Sequence, residues 1–394
     1  MMPGQDPYIG QEILNGQFKI LKRIGTGGMG SVYKASQPEM NRMVAVKILH
    51  TKLTDRKDLA SRFRREARAL SHLTHPNTVK VMMYGELDNG SLYIVMEYLD
   101  GKNLNQVVRR GGPLPVERAI PVLIQACGAL HEAHQLGIVH RDIKPENIFL
   151  TRHGGMDDFV KVLDFGLAKV TERELRPGSI MLTQEGMVFG TPEFMSPEQA
   201  QGQVLDPRAD IYSLAVILYE ALTGKLPFDG KTPMQFIQLH VTRAPIPLDE
   251  RLPDKTFPPG LSDVVAKALS KSRSKRYQTA LEFAEALRPF APGTAVPFVD
   301  VAAVHGGVAP ASWSSQEGDV PSEPVDSTAS PTWVDPSRQP GARRGESSTD
   351  PAPTVPRGAA QATAGTSPRT LIIVAALSIV AGVVLTVLAL KLFG

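Results

Sequence analysis

Cysteine is nearly missing: Cys127 is the only one in 394 residues. A single thiol excludes a disulfide framework and a cysteine-rich metal site, and it fits a reducing compartment. Tryptophan is almost as scarce, with two copies, Trp313 and Trp333. Neither sign of charge prevails. Lys and Arg number 43 against 40 Asp and Glu, and the resulting +3 gives no warrant for a nucleic-acid partner. The N-terminus carries no apolar run, so nothing there directs export. What is present, 42% hydrophobic and 21% charged residues, excludes a wholly disordered chain, a collagen and a multi-span membrane protein.

Composition divides the chain into unequal pieces. Residues 1–290 carry 37 basic and 32 acidic side chains. Residues 291–370 carry 5 arginines, no lysine, 8 acidic residues and 12 of the 32 prolines. This second stretch is rich in Pro, Ala, Ser, Gly and Thr and cannot bury enough apolar area to offset its ordering entropy, so it is expected to be a disordered linker. As a flexible tether it would reach about 50 Å root-mean-square. Both tryptophans fall in it, either as chance aromatics or as part of a docking motif.

Residues 371–390 read LIIVAALSIVAGVVLTVLAL, with no charge and 13 Leu, Ile or Val among 20. Twenty helical residues rise roughly 30 Å, the thickness of a bilayer's hydrocarbon core, so the run is expected to be a transmembrane helix. Arg357 and Arg369 precede it and only Lys391 follows. The charge bias is modest and, with the missing export signal, puts the N-terminal body in the cytoplasm. The tail 391–394 is too short to form a domain on the far side.

The N-terminal piece begins with residues 1–17, read as a tail. Phe18–Ile24 alternates like a strand and runs into Gly25-Thr26-Gly27-Gly28-Met29-Gly30. Glycines at this spacing let backbone N–H groups approach phosphate oxygens. A dinucleotide-binding unit would open a helix at this point. Here Ser31-Val32-Tyr33-Lys34-Ala35 continues as a strand, which favours a hairpin laid over the phosphates of ATP. Lys47 lies in the apolar strand Met43–Leu49, 17 residues after Gly30, where its ammonium can reach the α- and β-phosphates. A helix is expected over residues 58–73, with Phe63, Ala67 and Leu70 on one face. Glu66 lies near that apolar stripe and needs a cationic partner, for which Lys47 is the candidate.

Farther on stands Val139-His140-Arg141-Asp142-Ile143-Lys144-Pro145-Glu146-Asn147, and 17 residues after Asn147 come Asp164-Phe165-Gly166. Gly190-Thr191-Pro192-Glu193-Phe194-Met195-Ser196-Pro197-Glu198 follows. Phosphoryl transfer needs cations to neutralise the γ-phosphate and an acceptor for the hydroxyl proton. Asn147 and Asp164 offer hard oxygens suited to Mg²⁺, with Mn²⁺ as an alternative. Asp142 is placed as the proton acceptor, and Lys144 adds positive charge beside the transferring group.

In these motifs and their order, residues 18–290 resemble the eukaryotic-like serine/threonine protein kinases, and most closely the bacterial membrane-anchored members. The resemblance implies an α+β, bilobal protein kinase fold. A small β-rich N-lobe over 18–98, with a five-stranded antiparallel sheet and one helix, would join through a hinge, 99–101, to a larger helical C-lobe over 102–290. ATP would lie between them. The resemblance further implies that Met96 is the gatekeeper and that Glu97 and Leu99 bind adenine through their backbones. Val32 and Ala45 would roof the base and Phe149 would floor it. Glu198 would pair with Arg276, and Asp210 would hold the backbone around Arg141. Arg141 would pair with a phosphothreonine in the activation segment, Thr183 being the expected autophosphorylation site. Thr191 would contact Asp142 and Lys144. Two departures stand out: Ser196 replaces the usual Ala before Pro-Glu, and Tyr212 replaces a Trp frequent in eukaryotic relatives.

The implied activity is ATP-dependent phosphorylation of Ser/Thr hydroxyls on proteins, at the cell (inner or plasma) membrane, by a single-pass protein whose kinase domain is cytoplasmic. The implied partners are protein substrates, a second copy of the kinase, and the lipid bilayer through the C-terminal helix. The alternative from another class is a membrane-anchored pseudokinase scaffold. Lys47, Glu66, Asp142, Asn147 and Asp164 are all present, which argues for catalysis. Cys127 sits on an apolar helical stretch and is expected to be core, and the histidines show no ligand spacing.

Overall fold

The computed structural model describes residues 6–27, 30–49, 57–165 and 191–291; the side chains of residues 57–60, 62 and 66 lie outside what is described. The expected transmembrane helix, the linker beyond Ala291, and Gly28, Met29 and Thr183 therefore lie outside the described residues. Among the described residues no helix is long and apolar enough to cross a membrane.

The upper lobe is an antiparallel sheet of β1 (Glu12–Ile13), β2 (Phe18–Gly27), β3 (Gly30–Gln37), β4 (Arg42–Leu49), β5 (Val81–Glu86) and β6 (Leu92–Glu97), in the order β1-β2-β3-β4-β6-β5. Alternation decides its faces. Phe18, Ile20, Tyr33, Ala35, Val44, Val46 and Ile48 build one buried cluster. Val32 stands opposite Lys47 in the β3–β4 register, with Ala45 two residues away, so these three share the other face. Gly30 is required by close approach, since a Cβ there would collide with the Ile48 carbonyl oxygen.

The five strands expected over 18–98 are β2 to β6; the reading of residues 1–17 as a tail is corrected, because residues 6–17 are ordered and add β1 as a sixth strand. Ile13 pairs with Phe18, and the Tyr8 ring meets that of Tyr33 edge-on at 5.7 Å. The Asp6 carboxylate accepts from the Tyr33 hydroxyl at 3.1 Å and from Arg23 at 3.1 Å. Helix α1 (Lys57–Leu70) buries Phe63 against Leu92 and Ile94. It stops three residues before the expected Leu73, because Ser71, His72 and Leu73 close a turn onto Ala67, Ala69 and Leu70.

The lower lobe opens with β7 (Gly101–Asn103), α2 (Leu104–Gly111) and α3 (Val116–Gln135), followed by the hairpin of β8 (Ile148–His153) and β9 (Met156–Val162). Then come α4 (Pro197–Ala200), α5 (Arg208–Thr223), α6 (Pro233–Thr242), α7 (Leu248–Arg251), α8 (Leu261–Ala268) and α9 (Ala280–Leu287). α3 and α5 are buried along most of their length, as befits helices at the centre of a lobe. Cys127 on α3 is fully buried, and desolvation pushes its thiol pKa up, so it is inert packing. Arg276, itself fully buried, donates to both carboxylate oxygens of Glu198 at 2.7 and 2.8 Å and to the Ser270, Arg208 and Lys271 carbonyls. A buried ion pair survives only with such added hydrogen bonds.

The lobes meet through backbone. Val162 N–H donates to the Asn77 carbonyl at 2.7 Å, and Val79 N–H donates to the Val162 carbonyl at 3.0 Å. The Glu132 carboxylate accepts from the N–H groups of Thr74 and His75, both at 2.9 Å.

On α5 one carboxylate faces an unfavourable setting. Desolvation, with the Glu146 charge adding to it, pushes the Glu220 pKa up from 4.5 to about 7. The folded chain thus keeps a proton that the unfolded chain releases, so this group subtracts stability as pH rises through that window. Glu220→Gln is expected to stabilise the protein by about 1–3 kcal/mol at pH 8 and to leave it nearly unchanged at pH 4, measured by urea unfolding. Equal effects at both pH values would contradict the assignment.

Candidate active site

The glycine hairpin is strand on both arms. Gly25 pairs with Val32, Thr26 with Ser31 and Gly27 with Gly30, and the Thr26 and Ser31 hydroxyls lie 3.3 Å apart. The motif therefore does not open a helix, and the dinucleotide-binding reading is excluded by the fold.

Lys47 reaches across from β4 to the loop after β9, where its Nζ meets Asp164 Oδ1 at 2.7 Å. Lys47 is 13% exposed, whereas 42% of the Asp164 side-chain surface opens to the cleft. Crowding by protein raises the Asp164 pKa, and the Lys47 ammonium overrides this and holds the carboxyl below the usual carboxylate range. Asp164 adopts φ 51° and Arg141 φ 66°. Both are left-handed conformations costly to a side-chain-bearing residue, so each must be held by its surroundings. The backbone of Glu66 lies in α1, and its expected contact with Lys47 lies outside the described residues.

The segment after Val139 is held from below. The buried Asp210 carboxylate accepts from His140 N–H at 2.8 Å, from Arg141 N–H at 2.9 Å and from His134 Nε2 at 2.8 Å. Burial alone would raise its pKa; the donors, His134 first, keep it low and the group ionised. His140 is itself buried and its pKa is lowered by desolvation. Its Nε2 meets the Leu163 carbonyl at 2.8 Å and its ring lies 4.7 Å from that of Phe165. One residue thus links the loop before Asp142 to the loop bearing Asp164. Lys144 Nζ stands 3.1 Å from Asp142 Oδ2. The Asn147 amide N–H donates to the Asp142 carbonyl at 2.8 Å, which fixes the amide and leaves Oδ1 for a cation.

Lys47, Asp142, Lys144, Asn147 and Asp164 therefore converge. Among the described residues no group of three or more His, Cys or carboxylate ligands could hold a metal. Asn147 and Asp164 suit Mg²⁺, which binds through one or two protein oxygens and takes the rest from phosphates and water. Met96, Leu70, Val81, Ile94 and Phe165 line a small cavity beside Asp164. Leu99 and Phe149 are half-buried, Phe149 pairing in register with Asn103. Thr191 is half-buried, and its carbonyl accepts from Phe194 N–H.

The end of β6, just before the hinge, carries a device not foreseen from the sequence. Glu97 is engaged by its side chain: Oε1 accepts from Lys161 Nζ at 2.7 Å and from Lys80 N–H at 2.8 Å. The bond ties the end of β6 to β9 below it. Its one sequence signal is a lysine alternating inward in the apolar run Phe159–Leu163. At Gly101 a Cβ would collide with the Leu150 carbonyl, so β7 can lie against β8 only with glycine there.

Comparison with known proteins agrees with this geometry. The protein kinase domain model matches residues 18–287. Serine/threonine-protein kinase pkn3 of Myxococcus xanthus is 42% identical over 282 residues, covering 71% of this chain and 51% of the relative. Serine/threonine-protein kinase PknB of Mycolicibacterium smegmatis is 43% identical over 272 residues, covering 68% and 42%. The chain thus spans about half or less of the length of these relatives. Among solved structures, the PknI kinase domain of Mycobacterium tuberculosis superposes with a TM-score of 0.54 at 28% identity, over 72% of this chain and 98% of that one. By sequence, fold and the arrangement of its cleft, the chain belongs to the protein kinase family.

Proposed function

We propose that this protein is an active serine/threonine protein kinase that transfers the γ-phosphoryl group of ATP to hydroxyls of protein substrates. The carrying observation is the Lys47–Asp164 contact at 2.7 Å above a loop in which Asp142 and Asn147 are both locked. A pseudokinase scaffold would not need this set intact. When bound, ATP with Mg²⁺ or Mn²⁺ supplies the phosphoryl group and neutralises its charge. Lys47 would hold the α- and β-phosphates, and Asn147 and Asp164 the cation. Asp142 would orient the acceptor hydroxyl and take its proton. The glycine hairpin would cover the phosphates, and Val32, Ala45, Phe149, Glu97 and Leu99 would hold the base. Incorporation of labelled phosphate into a generic Ser/Thr substrate is expected, with Asp142→Asn and Lys47→Met each losing about 10²-fold or more. A wild-type chain that transfers nothing with either metal would favour the scaffold.

Autophosphorylation follows as part of the same reading. Arg141, beside Asp142, would pair with a phosphate, which adds about −1.5 to −2 charge and can order a loop. Thr183 is the proposed acceptor, with Glu185 supplying part of a second negative charge. Thr183→Ala is expected to lower activity several-fold and to remove the main phosphopeptide after incubation with ATP; full activity would reject Thr183.

For its location we propose a single span over residues 371–390, with the kinase domain cytoplasmic and tethered to the cell membrane. Its support is the uncharged apolar run, preceded by Arg357 and Arg369 and followed by Lys391. The full chain should stay with membranes through alkaline extraction and become soluble when residues 371–394 are deleted. Recovery of both forms in the soluble fraction would dismiss the anchor. Such confinement raises local concentration, and control is proposed to come from that concentration, from dimerisation, or from a partner that binds the linker.

A further inference from the structure

Two buried side chains end on successive carbonyls of the turn Pro192–Phe194. His240 Nε2 lies 2.9 Å from the Glu193 oxygen, and Ser213 Oγ lies 2.7 Å from the Phe194 oxygen. A carbonyl only accepts, so His240 Nε2 carries the proton. His240 is fully buried, and desolvation pushes its pKa down to about 4, so the ring is neutral and Nδ1 is an acceptor. Nδ1 stands 3.0 Å from the Tyr212 hydroxyl, which must therefore donate to it. The Tyr212 oxygen is in turn left to accept from Lys271 Nζ at 3.2 Å. The Glu193 carbonyl can only accept and the Lys271 ammonium can only donate, so both ends agree on one direction: Lys271 to Tyr212 to His240 to Glu193. Phe228 packs the chain from the side, with Lys271 Nζ 4.3 Å above its ring and His240 against its edge at 4.9 Å.

Tyr212 and Ser213 are neighbours on α5, and Asp210 on the same helix carries the backbone of His140 and Arg141. Gln199, on the helix that follows the turn, donates to the Arg141 carbonyl at 2.7 Å. One helix thus sets the height of both the Asp142 loop and the Thr191–Met195 segment. Lys47, Glu97 and the glycine hairpin belong to the other side of the cleft. An indole at position 212 would have a donor but no acceptor and could not receive the Lys271 proton.

We propose that His240, oriented by Tyr212 and Lys271, is a positioning residue that fixes the Glu193–Phe194 turn and so governs the binding of the acceptor protein rather than of ATP. The inference rests on the kinase reading above. The turn leads into the helix whose Gln199 holds the Arg141 carbonyl, so a displaced Glu193 carbonyl acts on the Asp142 side of the cleft, where the acceptor hydroxyl would sit, and not on Lys47.

The test is steady-state kinetics on the full chain, varying a generic Ser/Thr protein acceptor and ATP separately. Tyr212→Phe keeps the ring and removes the hydroxyl. It is expected to raise the acceptor KM about 5- to 20-fold while the ATP KM stays within about twofold. His240→Phe should do the same or more, and His240→Gln, which keeps an N–H for Glu193 and an oxygen for Tyr212, should restore most of the loss. If His240→Phe does not fold, Tyr212→Phe and His240→Gln decide the matter. An unchanged acceptor KM in Tyr212→Phe would overturn the proposal. So would a joint rise in both KM values with a lowered melting temperature, the mark of a merely structural role. A wild-type chain that transfers no phosphate would instead overturn the kinase reading and this inference with it.

Discussion

The catalytic loop hangs on one buried carboxylate. Asp210 is almost wholly removed from water, and an anion there is tolerated only when donors replace its lost hydration. Three do so: His134, and the N–H groups of His140 and Arg141. The same bonds hold Arg141 at φ 66°, a conformation its own backbone does not prefer. Removing the carboxylate would leave three buried donors unsatisfied and free the loop at the residue before Asp142. Stability and active-site geometry are here one set of hydrogen bonds.

A similar arrangement holds the upper side. Asp164 is in a left-handed conformation at the end of β9 and is met by Lys47 from β4. His140 joins the two strained points through the Leu163 carbonyl. The cleft is therefore assembled from short loops whose unfavourable backbone angles are offset by buried polar contacts, while the buried helices α3 and α5 supply a rigid base.

Much of this was legible in the chain. The alternation of Phe18–Ile24 and Met43–Leu49 gave their strands, and the spacing from His140 to Asp164 gave the catalytic cluster, because motif chemistry sits in contiguous short segments. Glu198 and Arg276 could be paired only through the family resemblance. What escaped notice were contacts between single polar residues distant in sequence: Asp6 with Tyr33, Glu97 with Lys161, His240 with Glu193. No local periodicity marks such pairs. The early end of α1 escaped for a different reason, since apolar spacing continues to Leu73 after the backbone has already turned.

The short strand β1 has a meaning beyond its two residues. Strand β2 is ten residues long and would otherwise form the outer edge of the upper sheet, with unpaired backbone groups open to any passing strand. β1 covers its start, and Gly10 and Gln11 bond to Ile20 beside it. Likeness to the family begins at residue 18, but the guarded surface of the folded body begins a dozen residues earlier. Where recognisable ancestry starts and where the molecule is sealed against its neighbours are thus different places in the chain.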